Sequence, residues 1–314
     1  MSILPPHRPP RLLSRYLSCY LSRLRSHAAP VAAAFLLVSA PAGAGAAPAT
    51  AGPAAGTSPV MLEDLTWTEL RDAVRAGRTT AIVPVGGTEQ SGPALALGKH
   101  NVRVRALAER IAREMGSVIV APVLAYVPEG TIAPPSSHMR FPGTLSVPTA
   151  VFEATLASIG RSLRAHGFRD VFFLGDHGGY QRELVHVADQ LNREWSGAGG
   201  NHTRAYALTE YYEAATSGYA QLLRARGYRD DEIGTHAALS DTSMQMAVAP
   251  DMVRPGVLFS AAHLDESVGI YGGDPRRANA QIGQIGLDEI VRQSVAAMRA
   301  RLRAAGHEAM PAPR

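Results

Sequence analysis

The sequence of 314 residues has almost no cysteine and almost no lysine. Its one cysteine, Cys19, precedes residue 46, so no thiol remains downstream to form a disulfide bond or to act as a nucleophile. Its one lysine, Lys99, stands against thirty arginines. We interpret that ratio as a compositional bias toward arginine, which by itself assigns Lys99 no role.

The first 46 residues lack acidic side chains but contain five arginines. An apolar run at Val31–Val38 follows, and then small residues with the Ala-x-Ala spacing of a cleavage site. The run is shorter than the roughly 20 apolar residues of a membrane-spanning helix. We therefore predict a signal peptide over residues 1–46, no stable membrane anchor, and export to the periplasm or the medium.

The chain has no large excess of positive charge once this segment is set aside. It contains 31 basic and 27 acidic residues, and removing the five arginines leaves 26 basic residues against 27 acidic ones. A nucleic-acid-binding domain usually carries a marked basic excess. We therefore expect no nucleic-acid partner.

The remaining sequence divides into a short linker, one domain and a tail. Residues 47–60 are rich in alanine, glycine and proline without an apolar period, which predicts a flexible linker. Residues 61–305 have the length of one sizeable domain, and residues 306–314 are predicted to be a disordered tail.

Strand-like and helical patterns alternate along this domain. A capping box at Thr66 and Glu69 opens a helix. Strands are predicted at residues 79–85, 117–124, 170–174 and 203–208, with a helix after each, the first of them capped by Asn101. Because such alternation requires crossover connections, we predict an α/β fold with three layers, α/β/α, and a mostly parallel central sheet.

Three residues with metal-binding side chains lie where these strands end. Glu89 and His177 follow the first and third strands in glycine-rich loops, and His100 ends the first loop. The carboxyl ends of parallel strands share one edge of a sheet, so these side chains can converge. One carboxylate and two imidazoles suit zinc, with manganese or iron as alternatives, although for any one residue taken alone an ordinary polar loop residue is the preferred interpretation.

Five segments, in this order, resemble the creatininase (creatinine amidohydrolase) family. They are Glu89-Gln90-Ser91-Gly92-Pro93, Phe141-Pro142-Gly143-Thr144, Asp176-His177-Gly178-Gly179, the segment from Thr235 to Ser243, and Gly272-Gly273-Asp274-Pro275. The resemblance covers most of the predicted domain. It implies the creatininase fold, a two-metal amide hydrolase, and a homo-oligomer, namely a hexamer.

The sequence departs from the family pattern at two implied metal ligands. Ser91 stands in place of a histidine, and His100 in place of an aspartate that bridges two metals. A neutral imidazole offers one lone pair, whereas a carboxylate can span two ions. We therefore expect one divalent metal per chain, bound by Glu89, His100 and His177.

The resemblance also singles out Asp241 and His236. Asp241 stands at a metal-binding glutamate and would be a fourth ligand, a residue that orients a ligand or the water, or a helix cap. His236 is implied to be catalytic: a histidine that titrates near neutrality can protonate the leaving nitrogen. The alternative for His236 is a loop residue bonded to backbone. For His138, a role in supporting the Phe-Pro-Gly-Thr loop is preferred to one in the pocket.

The expected activity is that of an enzyme, a metal-dependent amidohydrolase. It would cleave a C–N bond of a small amide or cyclic amide through a metal-activated water. The alternative is a non-catalytic, exported small-molecule-binding protein on the same scaffold, because two implied ligands are replaced.

Overall fold

The computed structural model describes residues 59–196, 203–260 and 263–307. The predicted signal peptide lies outside these residues, as do most of the predicted linker and tail. At the carboxyl end, His307 Nδ1 donates to Asp170 Oδ2 at 2.8 Å.

Four parallel strands form the central sheet, in the order β2-β1-β3-β4. The strands are β1 (Thr80–Val85), β2 (Val118–Val120), β3 (Asp170–Gly175) and β4 (Arg204–Ala207). β1 pairs with β3 over its whole length, from Thr80 opposite Asp170 to Val85 opposite Gly175. The two central strands therefore end side by side.

Helices connect and cover these strands. They are α1 (Trp67–Arg75), α2 (Lys99–Met115), α3 (Thr149–Ala165), α4 (Gln181–Ser196), α5 (Thr209–Glu213), α6 (Tyr219–Arg224), α7 (Asp230–Ile233), α8 (Leu239–Val248), α9 (Pro255–Ser260) and α10 (Ala280–Ala304). A π-helical segment, Ala214–Gly218, joins α5 to α6. Within the described part of the chain, no helix is long and apolar enough to cross a membrane.

The core has two halves, one on each face of the sheet. Ile82 and Phe172 point toward α2, α8 and α10, whereas their neighbours Val83 and Phe173 point toward α3 and α4. This alternation is the period-2 geometry of a strand that is buried on both faces. The prediction of an α/β/α fold with a parallel sheet is confirmed.

The start of α2 differs from the sequence-based prediction. The helix begins at Lys99 with Gly98 as its N-cap residue, so Asn101 lies inside the first turn. The Asn101 side chain instead accepts a hydrogen bond from Gly87 N at 2.9 Å and donates one to Thr88 Oγ1 at 3.1 Å. It thereby ties the loop after β1 to the start of α2.

The second strand is shorter than predicted. β2 ends at Val120 because the chain then leaves the sheet, and Leu124 returns only as an isolated bridge to Val85. The segment that follows runs along the carboxyl edge of the sheet and carries Glu129 to the cluster described below.

Candidate metal centre

The loops after β1 and β3 meet as the sequence predicted. Tyr180 joins them: its hydroxyl accepts from His177 N at 3.2 Å and donates to the carbonyl oxygens of Val85 and Gly86 at 2.7 and 2.6 Å. As a result, His177 Nε2 lies 3.2 Å from Glu89 Oε2. His177 lines a cavity of about 450 Å³.

Glu89, His138 and His177 form a candidate metal site. One ligand atom from each lies within 4.8 Å of the other two. His138 Nε2, like His177 Nε2, is 3.2 Å from Glu89 Oε2. That oxygen is buried, and no group in the described residues meets it in hydrogen-bond geometry. A carboxylate with two imidazoles is a common ligand set for zinc and related divalent ions.

Glu129 adds a second carboxylate to this side of the cluster. Its side chain is fully buried, and Oε2 lies 3.6 Å from His177 Nε2. Neither of its oxygens has a hydrogen-bond partner among the residues described. Burial and the nearby charge of Glu89 raise the pKa of Glu129 to about 9. A buried carboxyl group without a partner is costly, and a divalent cation would satisfy it, so these residues fit a metal ion.

The sequence analysis did not identify Glu129, although a signal for it was present. Glu129 follows the second strand at the carboxyl edge of the sheet, the same criterion that selected Glu89 and His177. Only the structure shows that Glu129 lies close to Glu89 and His177, because eight residues separate Glu129 from the end of β2.

His138 lines the pocket and also contacts the Phe-Pro-Gly-Thr loop, so the structure shows both of the positions that the sequence analysis weighed. Its Nδ1 is 2.9 Å from Gln90 Nε2, and the same amide nitrogen is 3.2 Å from His236 Nε2. Thr144 Oγ1 links the two segments, because it accepts from Gln90 N at 3.0 Å and donates to His138 O at 2.9 Å. The Phe-Pro-Gly-Thr loop thus holds His138 over the cluster.

The opposite side of Glu89 is a buried ion-pair network. Lys99 donates from Nζ to Asp241 Oδ2 and lies 3.5 Å from Glu89 Oε1. Arg103 donates to Asp241 Oδ1 at 2.5 Å and to Asp176 Oδ2 at 2.8 Å. Burial alone would raise the pKa of Asp241, but the charges of Lys99 and Arg103 hold it well below its usual value.

His100 lies within this network and differs from its predicted role as a metal ligand. Its Nε2 donates to Glu89 Oε1 at 2.7 Å, and its Nδ1 donates to Asp176 Oδ2 at 2.6 Å. Burial and Lys99 lower the pKa of His100, but the hydrogen bonds to these carboxylates outweigh them and raise it. With a carboxylate on each nitrogen, the ring keeps its protons and presents no free lone pair to a metal.

Asp241 is likewise placed differently from a metal ligand. Oδ2 accepts from Lys99 Nζ and from Ala237 N, the latter at 3.0 Å, and Oδ1 accepts from Arg103. The ammonium group of Lys99 touches both Asp241 and Glu89. The structure therefore brings Glu89 and His177 together as expected but assigns Asp241 to the ion pairs.

His236 lies at the cavity, as predicted, but in a different charge state. Its Nε2 donates to Gln90 O at 3.0 Å, and its Nδ1 lies 3.5 Å from Glu89 Oε1. Burial and the charge of Lys99 lower the pKa of His236 to about 3. The ring is therefore neutral near pH 7, so it does not titrate near neutrality as the sequence analysis assumed.

Packing against the remaining wall of the cavity accounts for one of the two glycines after His177. A Cβ atom at Gly178 would lie 2.5 Å from Tyr212 Oη, so only glycine lets the loop pass under this tyrosine. Tyr212 and Thr216 line the cavity from α5 and the π-helical segment. Ser91 is buried nearby, with no partner for its hydroxyl in the described ranges.

A parallel α/β/α fold with carboxylates and imidazoles at its carboxyl edge defines a candidate metal-dependent hydrolase. The model of the family described as "Creatininase: Creatinine amidohydrolase" matches residues 63–298. The chain therefore belongs to the creatininase family, and the predicted family is confirmed.

Individual relatives agree with this assignment. The chain is 27% identical to creatinine amidohydrolase of Pseudomonas putida over 194 residues, which cover 62% of this chain and 74% of the relative. It is 30% identical to the mycofactocin precursor peptide peptidase of Mycolicibacterium smegmatis over 209 residues, covering 65% and 77%.

Solved structures give the same result. A structure titled "Creatininase Mn" matches with a TM-score of 0.63 and 25% identity, and a mutant creatininase described as "Zn-Zn type" matches with a TM-score of 0.63 and 26% identity. Each match covers 77% of this chain and 98% of the other. By family, the protein is a metal-dependent amide hydrolase, which confirms the predicted class of enzyme.

Proposed function

We propose that the protein hydrolyses a C–N bond of a small amide or cyclic amide, using one divalent metal ion per chain. The supporting observation is the set of unpartnered carboxylate oxygens beside two imidazoles. The proposed ligands are Glu89, His138, His177 and Glu129, and zinc is the proposed metal, with manganese or iron as alternatives. This set replaces His100 and Asp241 of the sequence-based prediction.

The substrate class is supported by the cavity and by the relatives. A cavity of about 450 Å³ is in the usual range for small-molecule sites. The named relatives are an amidohydrolase that acts on creatinine and a peptidase that acts on a precursor peptide. Both names describe hydrolysis of an amide-type bond, which supports a small amide as the substrate here.

Each residue of the site has its own role in the proposed reaction. A bound divalent ion would lower the pKa of water and polarise the substrate carbonyl. Glu89, His138, His177 and Glu129 would hold the ion. Gln90 holds the His138 ring through its side-chain amide and the His236 ring through its backbone carbonyl. His236 is neutral at the start, so it would accept the proton that the attacking water loses as its oxygen bonds to the carbonyl carbon, and deliver that proton to the nitrogen as the C–N bond breaks.

Metal content and turnover test this proposal. The purified protein is stripped with a chelator, reconstituted with zinc, manganese or iron, and assayed for bound metal and for hydrolysis of creatinine and short amides. We expect about one ion per chain and metal-dependent hydrolysis. Negligible uptake of all three metals would contradict the proposal, whereas about two ions per chain would contradict the single-metal part alone.

His236→Ala separates metal binding from catalysis. The variant should retain the metal, because His236 is not among the proposed ligands, and lose a factor of about 10²–10⁴ in turnover. His166→Ala is the control, since His166 is exposed at the end of α3. Full activity of His236→Ala would show that another group carries the proton.

We also propose export and assembly. The basic segment and apolar run of residues 1–46 support export to the periplasm or the medium. The resemblance to the creatininase family supports a homo-oligomer, with a hexamer as the specific proposal. Fractionation of cells and light scattering of the purified protein test these two statements.

A further inference from the structure

Lys99 contacts Glu89 on the side opposite the candidate metal site. Glu89 Oε2 faces His138 and His177, while Oε1 faces the ammonium group of Lys99 at 3.5 Å. The ammonium group also bonds to Asp241 Oδ2, and its side chain has no exposed surface. One carboxylate therefore lies between an open cation site and a cation supplied by the chain.

The identity of this residue is informative because the chain otherwise uses arginine. Thirty arginines and one lysine occur in the sequence, and the one lysine is at this buried position. A lysine carries a compact point charge with three donors, whereas a guanidinium is a wide planar fork. The space between Glu89 and Asp241 thus holds a small cation, which compositional bias toward arginine does not explain.

We propose that the ammonium group of Lys99 takes the place of a second metal ion beside Glu89. The inference rests on the proposed metal site at Glu89, His138 and His177, and it explains why that site would hold one ion. One similar solved structure, the mutant creatininase of "Zn-Zn type", is described with two zinc ions. In this chain, Lys99 would supply the second positive charge permanently.

The surroundings of Lys99 leave no ligands for an additional ion. Asp241 is bound by Lys99, by Arg103 at 2.5 Å and by the Ala237 amide at 3.0 Å. A divalent ion placed here would lie next to the charges of Lys99 and Arg103, which repel it. Lys99 is thus a positioning residue that holds Glu89 Oε1 and keeps Glu89 Oε2 available to the metal.

Metal stoichiometry of Lys99→Ala tests the proposal directly. Removing the ammonium group empties the space between Glu89 Oε1 and Asp241 Oδ2 and removes the cation that contacts both oxygens, so bound zinc should rise from about one ion per chain to about two. A merely structural role for Lys99 would not add a metal ion. Arg105→Ala is the matched control, because it removes an exposed cation of the same helix, and it should stay at about one.

The outcomes distinguish this inference from the proposed function. About one zinc ion in both the unmodified protein and Lys99→Ala overturns the inference and leaves the hydrolase proposal intact. No bound zinc, manganese or iron in either protein overturns the proposed function together with the inference. About two ions in the unmodified protein overturn the inference and the single-metal part of the proposed function, and they leave the hydrolase proposal intact.

A second measurement needs no variant and so covers the case in which Lys99→Ala does not fold. Because Lys99 is the only lysine, labelling with ¹⁵N-lysine yields one side-chain nitrogen signal. Addition of Mn²⁺ to about one equivalent should broaden this signal, and excess Zn²⁺ should leave the ammonium group protected from solvent exchange. Release of the group to solvent by excess Zn²⁺ would overturn the proposal.

Discussion

The two sides of the Glu89 carboxylate differ in how their charges are satisfied. On the Oε1 side, Lys99, Arg103 and His100 pair with Glu89, Asp176 and Asp241, so every carboxylate has a cationic partner. On the Oε2 side, the carboxyl oxygens face neighbours but accept no hydrogen bond from any described residue.

This difference divides the cluster into two halves. The paired half, on the Oε1 side, is structural, and the open half, on the Oε2 side, is available for a ligand. Buried charges persist only when paired, because desolvation is costly. The paired half meets this condition with its own residues, so it can be rigid without any ion. The other half meets it only when a cation binds, which is why the carboxyl group of Glu129 holds a proton near pH 7.

Breaking the paired half should have the largest effect on stability. Asp241→Ala leaves the charges of Lys99 and Arg103 buried with fewer partners. We expect the free energy of unfolding to fall by about 3–5 kcal/mol, measured by urea denaturation. The control is Glu194→Ala, which removes the exposed partner of Arg161 and should cost less than about 1 kcal/mol. Equal losses of unfolding free energy in Asp241→Ala and Glu194→Ala would contradict the distinction between the two halves of the cluster.

Removing a ligand from the open half should affect metal binding more than folding. His177→Ala is expected to weaken zinc binding by at least about 100-fold, above the 10–100-fold typical of groups that only support a ligand. Competition with a chromogenic chelator measures it. His186→Ala is the control, because His186 is exposed and pairs with Glu153 on the outer helices. Unchanged affinity in His177→Ala would exclude it as a ligand.

The sequence predicted the open half better than the paired half. Glu89 and His177 were identified because each directly follows a central strand, and strand ends fix where the next side chains lie. His138 and Glu129 belong to the same half, but long loops carry them there. Neither a hydrophobic period nor a residue spacing shows where such loops fold. Only the structure therefore shows that His138 and Glu129 lie close to Glu89 and His177.

The paired half was misjudged because charge pairing depends on three-dimensional neighbours. His100 and Asp241 have side chains that bind metals. The sequence does not show that Asp241 pairs with Lys99 and Arg103, or that His100 pairs with Glu89 and Asp176. A helix beginning at Lys99 places residues 99, 100 and 103 within one turn, so all three reach the same cavity. The start of α2, three residues earlier than predicted, thus places His100 inside the helix and beside Arg103.

The smallest expected effect is that of Glu129 on zinc affinity, and this effect depends on pH. Because burial and Glu89 raise the pKa of Glu129 to about 9, the metal-free protein carries a proton there at pH 7. A metal ion binds the ionised form, so binding should release that proton. Zinc affinity should therefore increase with pH, by up to about tenfold per unit, as the pH approaches the pKa of Glu129.

Glu129→Gln removes the titrating group and keeps its shape. We expect zinc affinity at pH 7 to fall by only about tenfold, because Glu129 must first lose a proton held with a pKa of about 9, which offsets part of its contribution as a ligand. Calorimetry in buffers of different ionisation enthalpy should show about one proton fewer released per ion than in the unmodified protein. Glu109→Gln, on the exposed face of α2, should leave both quantities unchanged. Equal proton release with and without the Glu129 carboxyl group would place Glu129 outside the metal site, because only an ionising ligand couples zinc binding to this proton.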